Sequence, residues 1–388
     1  MKKILYFNDA IALKIVLMVI IVSALALFTS FEAHHTALMP QPSMTSGTSS
    51  QAESTTRTGE AEGSAFGAIL AATSVLPQIA SAAEETELMA WVYPGAPACA
   101  AGAEMADGRH ITTLKAEYFT VRYDGTLELL TEASSGCNGY SAKNVALLKK
   151  YSERQFVTVS AASADAIDAF TANASQEAVK TLTTFAVQNN LTGVELDFED
   201  FGGWSEEVYE AYKSFVTALG NELHAHGKQL MIDGPAIANT SEESWYVWRY
   251  QDFTNLPVDT MVIMAYDYQF DHGAGVPVAP LAWMESVIRH VSSQFGDMER
   301  LSVGLPSYGY RGTEGSMRVT LMTYDQIKKQ ANFKKAVRDV SSGEMTWKNG
   351  TTRFYFQDKE SLRQKRAVAE RLGISSVSVW HLGGNLWF

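Results

Sequence analysis

The segment GVELDFED, residues 193–200, places Glu195, Asp197 and Glu199 at every second position, with Val194, Leu196 and Phe198 between them. Alternation of this kind is the period of a β-strand, so the acids share one face and the apolar side chains the other. Along a strand rising about 3.3 Å per residue, neighbouring acids of that row stand roughly 6.6 Å apart. At an effective dielectric near 20, two such charges repel by about 2.5 kcal/mol, roughly 2 pKa units, so one acid is expected to keep its proton. Two readings follow: an edge strand with a solvated acidic face, and a catalytic carboxylate cluster in which one acid stays protonated because a neighbour is ionised.

The elements that position this row decide between them. Short β-rich runs recur at 88–94, 117–123, 155–160, 193–199, 228–234, 259–267, 301–309 and 375–380. Between them lie patterns such as SQEAVKTLTTFAVQNN and SEEVYEAYKSFVTALGNELHAHG, with apolar residues at three-to-four spacing and an expected capping serine at the start. Strands alternating with helices over about 300 residues predict a (β/α)8 TIM barrel of the α/β class, with an open doubly wound sheet as runner-up. The excess length falls between strand 7 and strand 8. There GEMTWKNGTTRFYFQD reads as a hairpin around Asn349-Gly350, part of a small α+β insertion at about 310–358. A closed barrel has no edge strand to solvate three acids, so the row belongs at the barrel mouth, where such enzymes work.

With these motifs in place, the chain resembles glycoside hydrolase family 18, the chitinase-like barrels, over about residues 86–388. The family signature Asp-Gly-x-Asp-x-Asp-x-Glu is met by Thr192, Gly193, Val194, Glu195, Leu196, Asp197, Phe198 and Glu199. Met264-Ala265-Tyr266-Asp267 matches Met-x-Tyr-Asp on strand 6. GLPSYG, residues 304–309, matches Gly-x-Pro-x-Tyr-Gly on strand 7, and Trp380 closes strand 8. Thr192 and Glu195 depart from the signature, and the third-strand Ser-x-Gly-Gly is reduced to Ser160-Ala161-Ala162-Ser163. Residues 275–288, GVPVAPLAWMESVI, are similar to the bacterial cell-wall and spore-cortex branch.

The resemblance implies a retaining hydrolase of β-1,4-linked N-acetylglucosamine polymers in which the substrate's acetamide is the nucleophile. Glu199 would be the general acid and base, Asp197 would accept a hydrogen bond from the acetamide N–H, and Glu195 would share the proton behind it. Tyr266 would hold the acetamide oxygen and Trp380 would floor the sugar, with Asp267, Tyr308 and Met264 also on the substrate side. No cofactor and no metal are implied. The alternative is a lectin-like barrel that binds carbohydrate without turnover.

Composition narrows the partners. Of 388 residues, 46% are hydrophobic, which suffices for a large core, and the net charge of −12 with pI near 5.2 excludes nucleic acid and anionic lipid as main partners. A monomer is expected. Residues 11–28 are apolar except Lys14 and follow Lys2 and Lys3, so residues 1–29 read as a signal peptide or signal anchor. The run length favours the anchor, and the flanking lysines put the remainder outside the cytoplasm. Residues 30–85 read as a low-complexity stalk, a coil reaching about 40 Å. Cys99 and Cys137 fit either an extracellular disulfide or two free thiols.

Overall fold

A computed structural model describes residues 87–106 and 111–388. The expected membrane segment and stalk lie outside the described residues. Among the described residues no helix is long and apolar enough to cross a membrane.

β1 (Glu87–Val92) and β2 (Ile111–Val121) are followed by β3 (Leu127–Leu129), which folds back antiparallel on β2. β4 (Ser152–Ala161) pairs parallel with β2, and β5 (Gly193–Phe198), β6 (Gln229–Gly234), β7 (Thr260–Ile263) and β8 (Leu301–Pro306) then add in sequence, each parallel to the one before. The insertion follows: β9 (Gly309–Thr313), β10 (Val319–Met322), β11 (Val337–Arg338), β12 (Met345–Asn349) and β13 (Thr352–Phe356). Finally β14 (Ser376–Leu382) pairs with β8 on one side and β1 on the other, and β1 pairs with β2, so the parallel sheet closes into the predicted eight-stranded barrel.

Helices cover the outside because their apolar stripes match its surface. The longest, Glu206–Ala225, buries Val208, Tyr212, Phe215, Val216, Leu219 and Leu223, the i, i+3, i+4 pattern of a single buried face, and Ser205 caps it by accepting the Val208 N–H. The capping serine expected at Ser175 does not cap. The preceding helix Ala164–Asn173 runs directly into Ser175–Gln188, and the Ser175 hydroxyl instead donates to the Thr171 carbonyl.

The insertion is larger than a hairpin. Its strands form an antiparallel sheet in the order β10-β9-β13-β12-β11, and the expected hairpin joins β12 to β13, with its two loop residues at Gly350-Thr351 because Asn349 ends β12 and pairs with Thr352. The run 301–309, read from sequence as one strand, breaks after Pro306, and Gly309 opens the second sheet. This sheet is moored to the loop after β7 by a buried pair: Glu344 accepts the backbone N–H groups of Val278 and Ala279, while Lys365, 3.0 Å away, donates to the carbonyls of Ala279 and Ser342.

Candidate active site

The interior of the barrel is built in layers by inward-facing residues of alternate strand positions. Met89, Trp91, Phe156, Met231 and Val262 form one buried apolar cluster, capped by Trp380. Polar side chains interleave with it. Glu195 is fully buried and accepts three hydrogen bonds, from Lys115 Nζ at 2.5 Å, Thr158 Oγ1 at 2.5 Å and Trp91 Nε1 at 2.9 Å. Burial pulls the Lys115 ammonium down from its usual range, and the Glu195 carboxylate is the main force that opposes the loss of its proton. None of these hydrogen bonds joins Glu195 to Asp197, the partner expected from sequence.

Above this layer the acids of β5 reach the mouth. Asp197 is partly exposed, yet its Oδ1 is buried without a hydrogen-bond partner, and burial together with the nearby Glu199, Glu195 and Glu117 holds its carboxyl well above the ordinary range. Glu199 follows the last residue of β5. Its N–H donates to Ala161 O and its carbonyl accepts the Trp204 indole N–H, which fixes the backbone from both sides. Asp200 then turns the chain away in the left-handed region, φ 55°, while its own carboxylate accepts the Ala164 N–H. Burial, then the charges of Asp267, Glu117 and Asp200, raise the Glu199 carboxyl to about 7. Glu117 on β2 accepts from the Ser160 hydroxyl at 2.8 Å and is likewise raised to about 7, mainly by burial.

Opposite these acids, the chain leaves β7 at Ile263, so Met264, Tyr266 and Asp267 sit on an irregular segment rather than on the predicted strand. Asp267 adopts φ 70° and accepts hydrogen bonds from the Tyr308 hydroxyl and from Gln269 Nε2 at 2.8 Å, yet burial still raises it to about 6. The Tyr266 phenol is pushed far above its usual range by burial and by the surrounding carboxylates, so it is a neutral donor. Tyr266 needs Gly304 beneath it: a Cβ there would stand 2.8 Å from the ring and 3.1 Å from Ile263 O. Tyr308 meets Trp380 edge to face at 5.0 Å and Tyr266 at 6.4 Å. Ser307 donates to the carbonyls of Trp380 and His381, which locks the end of β14 to β8. Met264 is partly buried and packs against the main hydrophobic core.

The structure thus brings Asp197, Glu199, Tyr266, Asp267, Tyr308 and Trp380 to one mouth. Thr192 lies at the foot of β5 instead, where its hydroxyl accepts the Gln155 N–H. Cys99 and Cys137 are joined in a disulfide, with Cα atoms 5.4 Å apart, beside the loop after β1. Sequence reading missed Lys115, Glu117 and Asp233. A signal was present: in TTLKAEY, Thr113, Lys115 and Glu117 alternate with Leu114, Ala116 and Tyr118, the same period that marked β5. Because β2 starts at Ile111 and not at 117, that face went unread.

Comparison with known proteins agrees with this geometry. The family model "Glycosyl hydrolases family 18" matches residues 141–385, more than half of the chain. Among curated proteins, the chain is 23% identical over 212 residues to "Uncharacterized glycosylase YvbX" of Bacillus subtilis, covering 52% of this chain and 60% of that protein. It is 21% identical over 196 residues to the "Cortical fragment-lytic enzyme" of the same organism, covering 47% of this chain and 45% of that one. The match therefore spans only part of these relatives' length. Among solved structures, a chitinase from Chromobacterium violaceum superposes with TM-score 0.65 at 20% identity, covering 77% of this chain and 95% of that one. The Bacillus cereus spore cortex-lytic enzyme SleL gives 0.64 at 18%, covering 78% and 72%. By the matched span and the motifs it contains, the chain belongs to the glycosyl hydrolases family 18.

Proposed function

We propose that the protein is a retaining glycosidase that cleaves β-1,4-linked N-acetylglucosamine polymers by substrate-assisted catalysis. The observation that carries this reading is Glu199: a carboxyl at the barrel mouth, raised to about 7, beside Asp197 and within the charge field of Asp267. A group with that proton affinity is matched to giving a proton at neutral pH and taking one back.

Each step is assigned to a residue at the mouth. Glu199 protonates the leaving glycosidic oxygen. The acetamide oxygen attacks the anomeric carbon, held by the neutral Tyr266 hydroxyl. Asp197 accepts from the acetamide N–H and balances the positive charge of the oxazolinium ion. Water, deprotonated by Glu199, then opens that ring and restores the starting configuration. Trp380 supplies an apolar floor backed by the Tyr308 ring. The apolar N-terminal run favours an extracytoplasmic place for the barrel, facing wall or medium. The similarity to cortex-lytic proteins makes peptidoglycan a substrate to test beside chitin.

Defined chitin oligomers, purified peptidoglycan and fully deacetylated chitosan, digested in parallel, test the proposal. The N-acetylated polymers should be cut and the chitosan should not. A thiazoline mimic of the oxazolinium ion should inhibit, and Asp197→Ala should weaken its binding by about 1.5–3 kcal/mol, the range for a hydrogen bond to a charged group. Rapid cleavage of chitosan with indifference to the thiazoline would reject substrate assistance. Binding without turnover of any polymer would identify a lectin-like barrel.

A further inference from the structure

Beneath the mouth lies a buried acid with no task in the scheme above. Asp233, near the end of β6, is 0% exposed, and neither of its carboxyl oxygens has a hydrogen-bond partner among the donors around it. The parallel register of β5 and β6 pairs Leu196 with Ile232, so one step further Asp197 and Asp233 stand side by side on the inward face. Glu195 on β5 is within hydrogen-bond reach of Asp233, and Lys115 on β2 shares the same space. The phenols of Tyr212, Tyr250 and Tyr266 lie around it. Tyr250 is turned away, donating to Pro235 O at 2.5 Å.

A lone carboxylate buried without donors is costly, whereas a carboxylic acid needs only one acceptor. Glu195 offers that acceptor. Its two oxygens have about four lone-pair sites, and Trp91, Lys115 and Thr158 occupy three of them. We propose that Asp233 is a positioning residue that works as a carboxylic acid: its O–H donates to the remaining acceptor site of Glu195, which leaves Asp197 to share a proton with Glu199 alone. The proton stays on Asp233 and no bond to carbon changes. Burial and the neighbouring Glu195 both favour the protonated form of Asp233. The ammonium of Lys115 offsets the carboxylate of Glu195, and the neutral acid adds nothing, so the layer under Asp197 presents no net charge. Glu195 therefore serves as a saturated foundation rather than as a proton partner. This inference rests on the roles proposed above for Asp197 and Glu199.

Two variants and one spectrum test it. Asp233→Ala removes the donor and frees a lone pair on Glu195. Protonated Asp197 then donates to that carboxylate, which stabilises its proton. The acid limb of the kcat/KM profile on chitin oligomers should move to higher pH by about one unit, the worth of a hydrogen bond to a charged group. Asp233→Asn keeps an N–H donor toward Glu195 and should leave the limb in place. A merely structural role would lower the melting temperature of both variants without moving the limb. Infrared difference spectra of the full chain provide an arm that needs no activity. At about pH 9, where Glu117 and Glu199, raised to about 7, have lost their protons, the wild type should show one protonated-carboxyl component more than Asp233→Asn, whichever state Asp197 holds. Identical protonated-carboxyl absorption in the wild type and in Asp233→Asn, or a limb unmoved in Asp233→Ala, would overturn the proposal. Should the wild type hydrolyse no N-acetylglucosamine polymer, the reading of the mouth fails, and the spectrum still decides the state of Asp233.

Discussion

Lys115 Nζ lies 2.5 Å from Oε1 of Glu195 and 3.0 Å from the centre of the Trp91 ring, with both charged side chains fully buried. The ammonium is thus clamped between a carboxylate and an aromatic face inside a barrel where buried apolar and polar side chains interleave. Such a pair costs desolvation to build, and either member alone costs more.

Lys115→Met should therefore destabilise the fold by about 3–5 kcal/mol, because it leaves the Glu195 carboxylate buried with no cation. Glu195→Leu should cost a similar amount. The double variant should recover much of the loss, since no uncompensated charge remains. Urea unfolding of the four proteins measures the cycle, and additive losses in the double variant would refute the coupling.

Glu199→Gln should lower turnover by at least about 10²-fold while sugar binding persists, because the amide keeps the shape but has no acidic proton. In the parent, kcat/KM should fall as pH rises past about 7, where Glu199 loses that proton. A flat alkaline side, or full activity of the amide variant on every polymer the parent cleaves, would remove Glu199 from the role of acid.

Glu117 links stability to pH. Its ordinary value of 4.5 rises to about 7 in the folded protein, so the native state holds a proton that the unfolded chain releases between those values. The stabilisation is fully present below about 4.5 and is lost as pH rises through about 7. Glu117→Gln does not titrate. The stability of the parent relative to that variant should decline across this window by about 1–3 kcal/mol, read from urea midpoints at stepped pH. Parallel pH curves would contradict it.

The disulfide closes a separation of 38 residues between Cys99 and Cys137. A loop of that length corresponds to about 4 kcal/mol of chain entropy removed from the unfolded state. Replacing both cysteines by serine should lower stability by roughly 2–4 kcal/mol. An unchanged melting temperature would show that the unfolded chain is already restricted there.

The eight barrel strands and the acid row could be read from sequence because each depends on local order. The alternation of Glu195, Asp197 and Glu199 sets their common face, and Gly350, at φ 63°, marks the hairpin that follows Asn349. Ser205 capped its helix as expected because nothing competed for it, while Ser175 did not because a preceding helix reached its hydroxyl. What acts on the acids was decided in three dimensions. Lys115 comes from 80 positions away in the chain, and Asp233 stands beside Asp197 only because helical crossovers bring β6 alongside β5 in one register. Sequence periodicity states which side chains face inward on a strand. Which inward side chains become neighbours across strands depends on barrel closure and register, and these set the hydrogen bonds of Glu195 and the proton affinity of Glu199.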